Sequence, residues 1–260
     1  MTQPHPLVAR NSWALSADHA DLRRPDSHGT ALRIDASPTP ITVEAAKAAL
    51  VVVDMQNDFC HPNGWLAGIG VDIVGARRPI PVLQRLIPAC RAAGIPIVWV
   101  SWGNRPDQAN LPPGVRHVYD PRGIGAGIGS LANAAASPVL TSGSWAAAVV
   151  DDLQIDAGDV IIEKYRMSGF VDTALDSILR NLRVDSLFFA GVNADQCVLA
   201  TLMDAANIGY DVILVQDAVG TTSPEFCMDA TVYNVRQCFG FTTTSDSIIS
   251  GLAPSGQEVG

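Results

Sequence analysis

Five strand-length apolar runs, separated by segments with a helical period, limit what this chain can fold into more than any other feature. They are "AALVVVDM" (48–55), "IPIVWVSW" (95–102), "DVIIEKY" (159–165), "DSLFFAGV" (185–192) and "DVILVQDA" (211–218), all rich in β-branched or aromatic residues. A strand wetted on one face alternates between apolar and polar residues, so runs this continuous read as strands buried on both faces. Between them, "IPVLQRLIPACRAAG" (80–94), "SWAAAVVDDL" (144–153), "DTALDSILRNL" (172–182) and "DQCVLATLMDAANIG" (195–209) place apolar residues three and four apart. Gly94 and Gly209 suit the left-handed residue that follows a helix. A last helix is expected from Ser223, with Pro224 at its first position, through "EFCMDATVYNVRQCF", and "GFTTTS" (240–245) reads as a sixth strand. The β-α order implies an α/β fold: a single-domain, doubly wound parallel sheet of about six strands with helices on both faces.

With 48% hydrophobic and 17% charged residues, the 260-residue chain can bury one sizeable core. The expected layout is an N-terminal arm over residues 1–42, partly irregular, one domain over 43–253, and a tail over 254–260. The net charge of −9, with 26 acidic against 17 basic residues and no basic stripe, argues against nucleic acid and anionic membranes as partners. A small neutral or weakly charged ligand fits better. No apolar run approaches the roughly 18 residues needed to span a bilayer, and the opening residues lack a charged-then-apolar signal pattern, so a cytoplasmic location is expected. The 5 cysteines, Cys60, Cys90, Cys197, Cys227 and Cys238, are irregularly spaced without a C-x-x-C pair and read as free thiols.

Parallel sheets bind ligands at the carboxyl ends of their strands. Asp54 closes the first strand, Lys164 the third, and Cys197 follows the fourth at a helix start. Singly, each has an ordinary reading: a cap, the rim of a core, a small buried residue. Together they supply what each lacks. A helix N-terminus and an ammonium both lower a thiol pKa from about 8.5, Asp54 can take the thiol proton and pass it to a leaving amine, and Lys164 can hold the carboxylate ionised. The three read as an amide-hydrolysing triad.

The segments "ALVVVDMQNDFC", "IIEKYRMSGF" and "GVNADQCVLATLMDAANIGYDVILVQDA" resemble the signature segments of the isochorismatase-like cysteine hydrolases, and the resemblance runs from about residue 45 to 250. It implies Asp54 as general acid/base, Lys164 as its charged helper and Cys197 as nucleophile. It also implies a non-proline cis peptide at Val192–Asn193, and an oxyanion hole formed by the backbone N–H groups of Asn193 and Cys197. Isochorismatases proper lack the cysteine, so its presence favours C–N hydrolysis through a thioester. Nicotinamidases carry zinc-binding histidines after the second strand, whereas "VSWGNRPDQANLPPG" has none and His117 is the nearest. No metal and no cofactor are therefore expected, and His5, His19, His28 and His61 read as surface or loop residues.

The loop "NRPDQANLPPG" with "GIGAGIG" is similar to biuret hydrolases and their triuret-cleaving relatives. "KYRMSGFVDTALDSILRNL" is similar to the ureidoacrylate amidohydrolases. Both groups cleave a carbamoyl C–N bond in a small ureide, and biuret or triuret stands first because the loop after the second strand shapes the pocket. A ureidoacrylate-type or N-carbamoyl compound is the alternative; a silent metabolite-binding protein and a nucleotide-dependent oxidoreductase are readings from other classes. By resemblance, Phe59 and Gln237 are expected to contact substrate. Trp65, Trp102, Tyr165 and Phe170 are further candidates for the pocket wall. The glycine run 123–129 has no strand before it, which excludes a dinucleotide fingerprint and reads as a loop or lid. Members of this fold form dimers or tetramers, so a homo-oligomer is expected.

Overall fold

The computed structural model describes residues 6–22 and 30–253. Numbered along the chain, the central sheet contains β1 (Ala36–Ser37), β2 (Ala48–Val53), β3 (Ile97–Trp102), β4 (Val160–Lys164), β5 (Ser186–Gly191), β6 (Asp211–Val219) and β7 (Phe241–Thr243). Their spatial order is β1-β7-β6-β5-β2-β3-β4. All pairings are parallel except that of β1 with β7. The sheet is thus α/β and mostly parallel, as the β-α order implies, with 7 strands rather than the expected six. The extra strand comes from the arm. It is two residues long, too short for any periodicity to reveal, and is held by pairing with Thr242 and Thr243 and by the Thr243 hydroxyl, which donates to the Asp35 carbonyl at 2.6 Å. Also in the arm, Ala31–Ile34 pairs antiparallel with Ile41–Glu44 and sinks Leu32 and Ile34 completely into the core.

Every residue of β2, β3 and β5 is buried, which accounts for the missing alternation in their sequences. Each fully buried Val, Leu, Ile or Phe in such strands contributes about 1.5–3 kcal/mol relative to exposure. By contrast β4 alternates, with Ile161 and Glu163 exposed, because it is the edge strand.

The helices that position the site are α1 (Pro79–Ala92), α2 (Leu175–Asn181), α3 (Leu199–Asn207), α4 (Glu225–Asn234) and α5 (Ser245–Leu252). Gly94 and Gly209 follow α1 and α3 at φ +72° and +97°, the left-handed values expected of them. The sequence reading did not foresee α5, which starts where Thr244 accepts a hydrogen bond from the Ser247 N–H and where Asp217 accepts from both the N–H and the hydroxyl of Ser245.

The helix expected over 144–153 does not form. The carbonyls that would close its turns are engaged elsewhere: those of Ala146 and Ala148 accept from the N–H groups of Asp58 and Asn57, and those of Trp145 and Ala147 from the side-chain amides of Asn57 and Gln56. Tertiary hydrogen bonds to the loop after β2 outweigh local propensity. Among the described residues no helix is long and apolar enough to cross a membrane.

Candidate active site

The strand order reverses at β2. The chain runs from β2 outward through β3 to β4, then returns to the other side of β2 with β5. Such a switch point opens a crevice at the carboxyl ends of the two strands. Asp54 leaves the end of β2 in a left-handed conformation (φ +50°) and is anchored by its N–H to the Val100 carbonyl at 2.8 Å. Cys197 leaves β5 on a single π turn, Ala194–Val198, that runs directly into α3.

Lys164 ends β4, two strands away from β2, where neighbouring strands are about 4.8 Å apart. Only a long side chain covers that gap. Its stem crosses β3, with Nζ 4.5 Å from the centre of the Trp102 ring, and the ammonium arrives 2.8 Å from Asp54 Oδ2 and 3.2 Å from Cys197 Sγ. The ammonium also donates to the Arg166 carbonyl at 3.2 Å. Lys164, Asp54 and Cys197 are 0%, 1% and 4% exposed, so solvent does little to weaken their interactions.

Burial works against the Lys164 cation, but the charges of Asp54 and Cys197 outweigh it and raise its pKa, keeping it protonated. The Cys197 thiol is pushed up to about 12, first by burial and then by the Asp54 carboxylate, with Lys164 pulling the other way. The direction is opposite to the lowering that a helix start and an ammonium would give by themselves, because burial and the Asp54 carboxylate act against the thiolate. The neighbouring Asp54 carboxylate is the group that can remove the thiol proton as a bond forms. Both carboxylate oxygens of Asp54 are buried and neither has a hydrogen bond among the described residues, so Oδ2 is held by its ion pair with Lys164 alone. Accordingly, alkylation of Cys197 by neutral iodoacetamide should keep rising about tenfold per pH unit beyond about pH 9. A rate that levels off near the ordinary thiol pKa would show a standing thiolate instead.

The loop after β2 owes its shape to residues that the sequence reading passed over. Gln56 is fully buried and clips onto β3, accepting from the Trp102 N–H at 2.7 Å and donating to the Trp102 carbonyl at 2.7 Å. Asp58 accepts from the N–H groups of Trp65 (3.0 Å) and Leu140 (2.7 Å) and from the Asn133 amide (3.3 Å). Burial lifts its pKa to about 6 even though these three donors favour the anion. The signal was present in "DMQNDFC": three polar residues directly after a buried strand, where solvent cannot satisfy them.

A cavity of 240 Å³ opens over the triad. Its polar wall is Asp54, Cys197, Asn193, Gln196 and Thr222. Asn193 ties this wall together, donating to Gln196 Oε1 at 3.3 Å and Thr222 Oγ1 at 3.4 Å and accepting from the Thr222 N–H at 3.2 Å. The Val192–Asn193 peptide is cis, as the resemblance implied. The opposite wall is apolar and includes Phe59, Trp65, Leu66 and Met167, whose sulfur is 3.7 Å from Cys197 Sγ.

Tyr119 also lines the cavity, from the short helix Pro113–Tyr119 that the sequence reading did not foresee. Its ring is held between Trp65 and Trp102, with centroid distances of 5.5 and 5.1 Å. Burial, then the charges of Cys197 and Asp54, lift the phenol pKa well above its ordinary value, so it remains a hydrogen-bond donor.

Of the residues singled out in the sequence, Asp54, Lys164, Cys197, Asn193 and Phe59 come together, and Trp65 joins them. Trp102 lies beneath Lys164, while Tyr165 and Phe170 do not line the cavity. Gln237 does not reach it either: the side chain is exposed in the π turn Val235–Phe239 beyond α4. Its helix register, which sequence could not fix, turns it outward. His19 and His117 are exposed, His61 accepts from the Asn63 N–H, and His5 and His28 lie outside the described residues. Among the described residues, no three His, Cys, Asp or Glu side chains are grouped so as to hold a metal ion.

Comparison with known proteins bears on the fold and the family. The isochorismatase domain model matches residues 48–247. The ureidoacrylate amidohydrolase RutB of Rhizobium rhizogenes is 32% identical over 245 residues, covering 91% of this chain and 97% of that protein. Among solved structures, a cysteine hydrolase from Pseudomonas syringae superposes with a TM-score of 0.69 at 23% identity, covering 86% of this chain and 98% of its own, which speaks to the fold alone. The N-carbamoylsarcosine amidase of Thermoplasma acidophilum superposes with a TM-score of 0.60 at 29% identity, covering 78% of this chain and 98% of its own. With a matched domain that spans most of its length, the chain belongs to the isochorismatase family of hydrolases.

Proposed function

We propose that this hydrolase is a metal-free cysteine amidohydrolase that opens a carbamoyl C–N bond in a small N-carbamoyl carboxylic acid of the ureidoacrylate type. The observation that carries the chemistry is the buried ammonium of Lys164, within hydrogen-bonding distance of both Asp54 and Cys197, the two groups that line one small cavity. As Sγ attacks the carbamoyl carbon, the thiol proton passes to Asp54 and the carbonyl π electrons move onto oxygen. The oxyanion accepts from the backbone N–H groups of Asn193 and Cys197, and Lys164 offsets the negative charge moving between sulfur and carboxylate. When the tetrahedral adduct collapses, the C–N bond breaks and Asp54 returns the proton to the departing nitrogen. Water, deprotonated by Asp54, then cleaves the thioester and restores the thiol.

The substrate class is supported by the ureidoacrylate amidohydrolase and N-carbamoylsarcosine amidase among the relatives, both named for N-carbamoyl acids. A neutral ureide of the biuret or triuret type is the second reading. It is favoured by the catalytic cavity itself, whose lining contains no Arg, Lys or His to meet a carboxylate.

Ammonia release from ureidoacrylate, N-carbamoyl amino acids, biuret, triuret and nicotinamide, measured side by side, separates these readings. The N-carbamoyl acids should exceed biuret by at least about tenfold in kcat/KM, and prolonged chelation should leave the rates unchanged. A preference for biuret or triuret would establish the second reading. No turnover of any of them would point to a silent binding protein.

A further inference from the structure

A carboxylate substrate and a cation-free catalytic cavity are reconciled by a feature next to that cavity. A second, larger cavity of 760 Å³ adjoins the first at Tyr119, which lines both. Tyr119 is packed against Trp65 and Trp102, and Trp65, which lines the first cavity, donates through Nε1 to the carbonyl of Ala126, which lines the second, at 2.6 Å.

The second cavity contains one cationic side chain, Arg122, and one carboxylate, Asp120. Asp120 is already engaged: Oδ1 accepts from the Ile124 N–H at 3.0 Å and Oδ2 from the Gly125 N–H at 2.8 Å, which pins the start of the glycine run. Arg105 and Arg166, by comparison, pair with Asp107 at 2.7 Å and Asp172 at 3.3 Å. Arg122 has no such ion pair among the described residues. The lining also includes Ile69, Ile124 and Leu131, apolar side chains suited to a short hydrocarbon spacer.

We infer that the two cavities form one bipartite site, with the ureido head over Cys197 and the substrate carboxylate held by Arg122. The inference rests on the N-carbamoyl acid reading and assigns its charge recognition to a residue outside the catalytic cavity. A guanidinium can grip a carboxylate with two parallel N–H bonds, and it discriminates by charge because a neutral end group leaves those donors without an anion. Tyr119, which lines both cavities, would flank the middle of the substrate. The glycine run "GIGAGIG" then acts as the scaffold that presents Arg122, with Gly123 and Gly125 in left-handed conformations at φ +63° and +75°.

The test is kcat/KM for N-carbamoyl-β-alanine and for its neutral carboxamide, measured on the wild type and on Arg122→Ala and Arg122→Lys. Because Arg122 is exposed, neither variant should perturb folding. The acid-to-amide ratio should fall at least about tenfold in Arg122→Ala, mostly through KM, with partial recovery in Arg122→Lys and a smaller difference at high salt. A ratio unchanged within about twofold, in an enzyme that hydrolyses the acid, would overturn the assignment of Arg122 and leave the proposed activity standing. If the wild type hydrolyses neither compound, the substrate reading fails and the bipartite site falls with it.

Discussion

Cys197→Ala is expected to lower kcat by at least about four orders of magnitude while leaving the thermal midpoint close to that of the wild type, because removing the nucleophile leaves only binding and oxyanion stabilisation. Its sulfur is the one cysteine sulfur within reach of the Lys164 ammonium, at 3.2 Å, among the described residues. Cys60 and Cys90 are also buried free thiols, yet neither lines the catalytic cavity. Burial alone lifts the Cys90 thiol to about 12, and burial dominates at Cys60 as well. Substitution of either should therefore affect packing and leave the chemistry intact. Turnover retained in Cys197→Ala would move the nucleophile elsewhere in the chain.

The second large effect is on stability. Asp54 and Lys164 are an ion pair at 2.8 Å with both side chains at most 1% exposed. Removing one partner of such a pair leaves an uncompensated buried charge, which costs about 3–5 kcal/mol. Lys164→Met keeps much of the stem that packs on Trp102 but removes the cation, and should lower stability by that amount as well as suppress turnover. Adding Asp54→Asn removes the stranded carboxylate, so the double variant should recover much of the stability and none of the activity. Denaturant unfolding of the four proteins in the cycle checks this. Additive losses would mean that the pair is not coupled and that Lys164 is merely part of the core.

Much of the sheet was legible in the sequence because burial on both faces leaves a plain mark: β2, β3 and β5 read as continuous apolar runs because each of their residues is buried. Asp54, Lys164 and Cys197 were legible because a parallel sheet gathers its ligands at strand ends. What escaped the reading depends on partners distant in sequence. The 144–153 segment has helical spacing but gives its carbonyls to the 56–58 loop, and β1 is held by Thr242 and Thr243, some two hundred residues away. Gln237 was placed by resemblance near a helix end, where an uncertain register decides which way a side chain points; a π turn set that register. The environment of the thiol is hidden from the sequence for a related reason. The helix start and the ammonium are visible in sequence, whereas complete burial beside Asp54, which pushes the Cys197 thiol up to about 12, appears only in three dimensions.

In the proposed reaction Cys197 carries the substrate covalently. The most direct measurement is peptide mass spectrometry of enzyme acid-quenched during turnover of an N-carbamoyl acid. The account predicts an adduct with the mass of the substrate less its departing amine, on the peptide containing Cys197 and absent from Cys197→Ala. Rapid turnover with no adduct on that peptide under any quench time, or an adduct on a different cysteine, would contradict it.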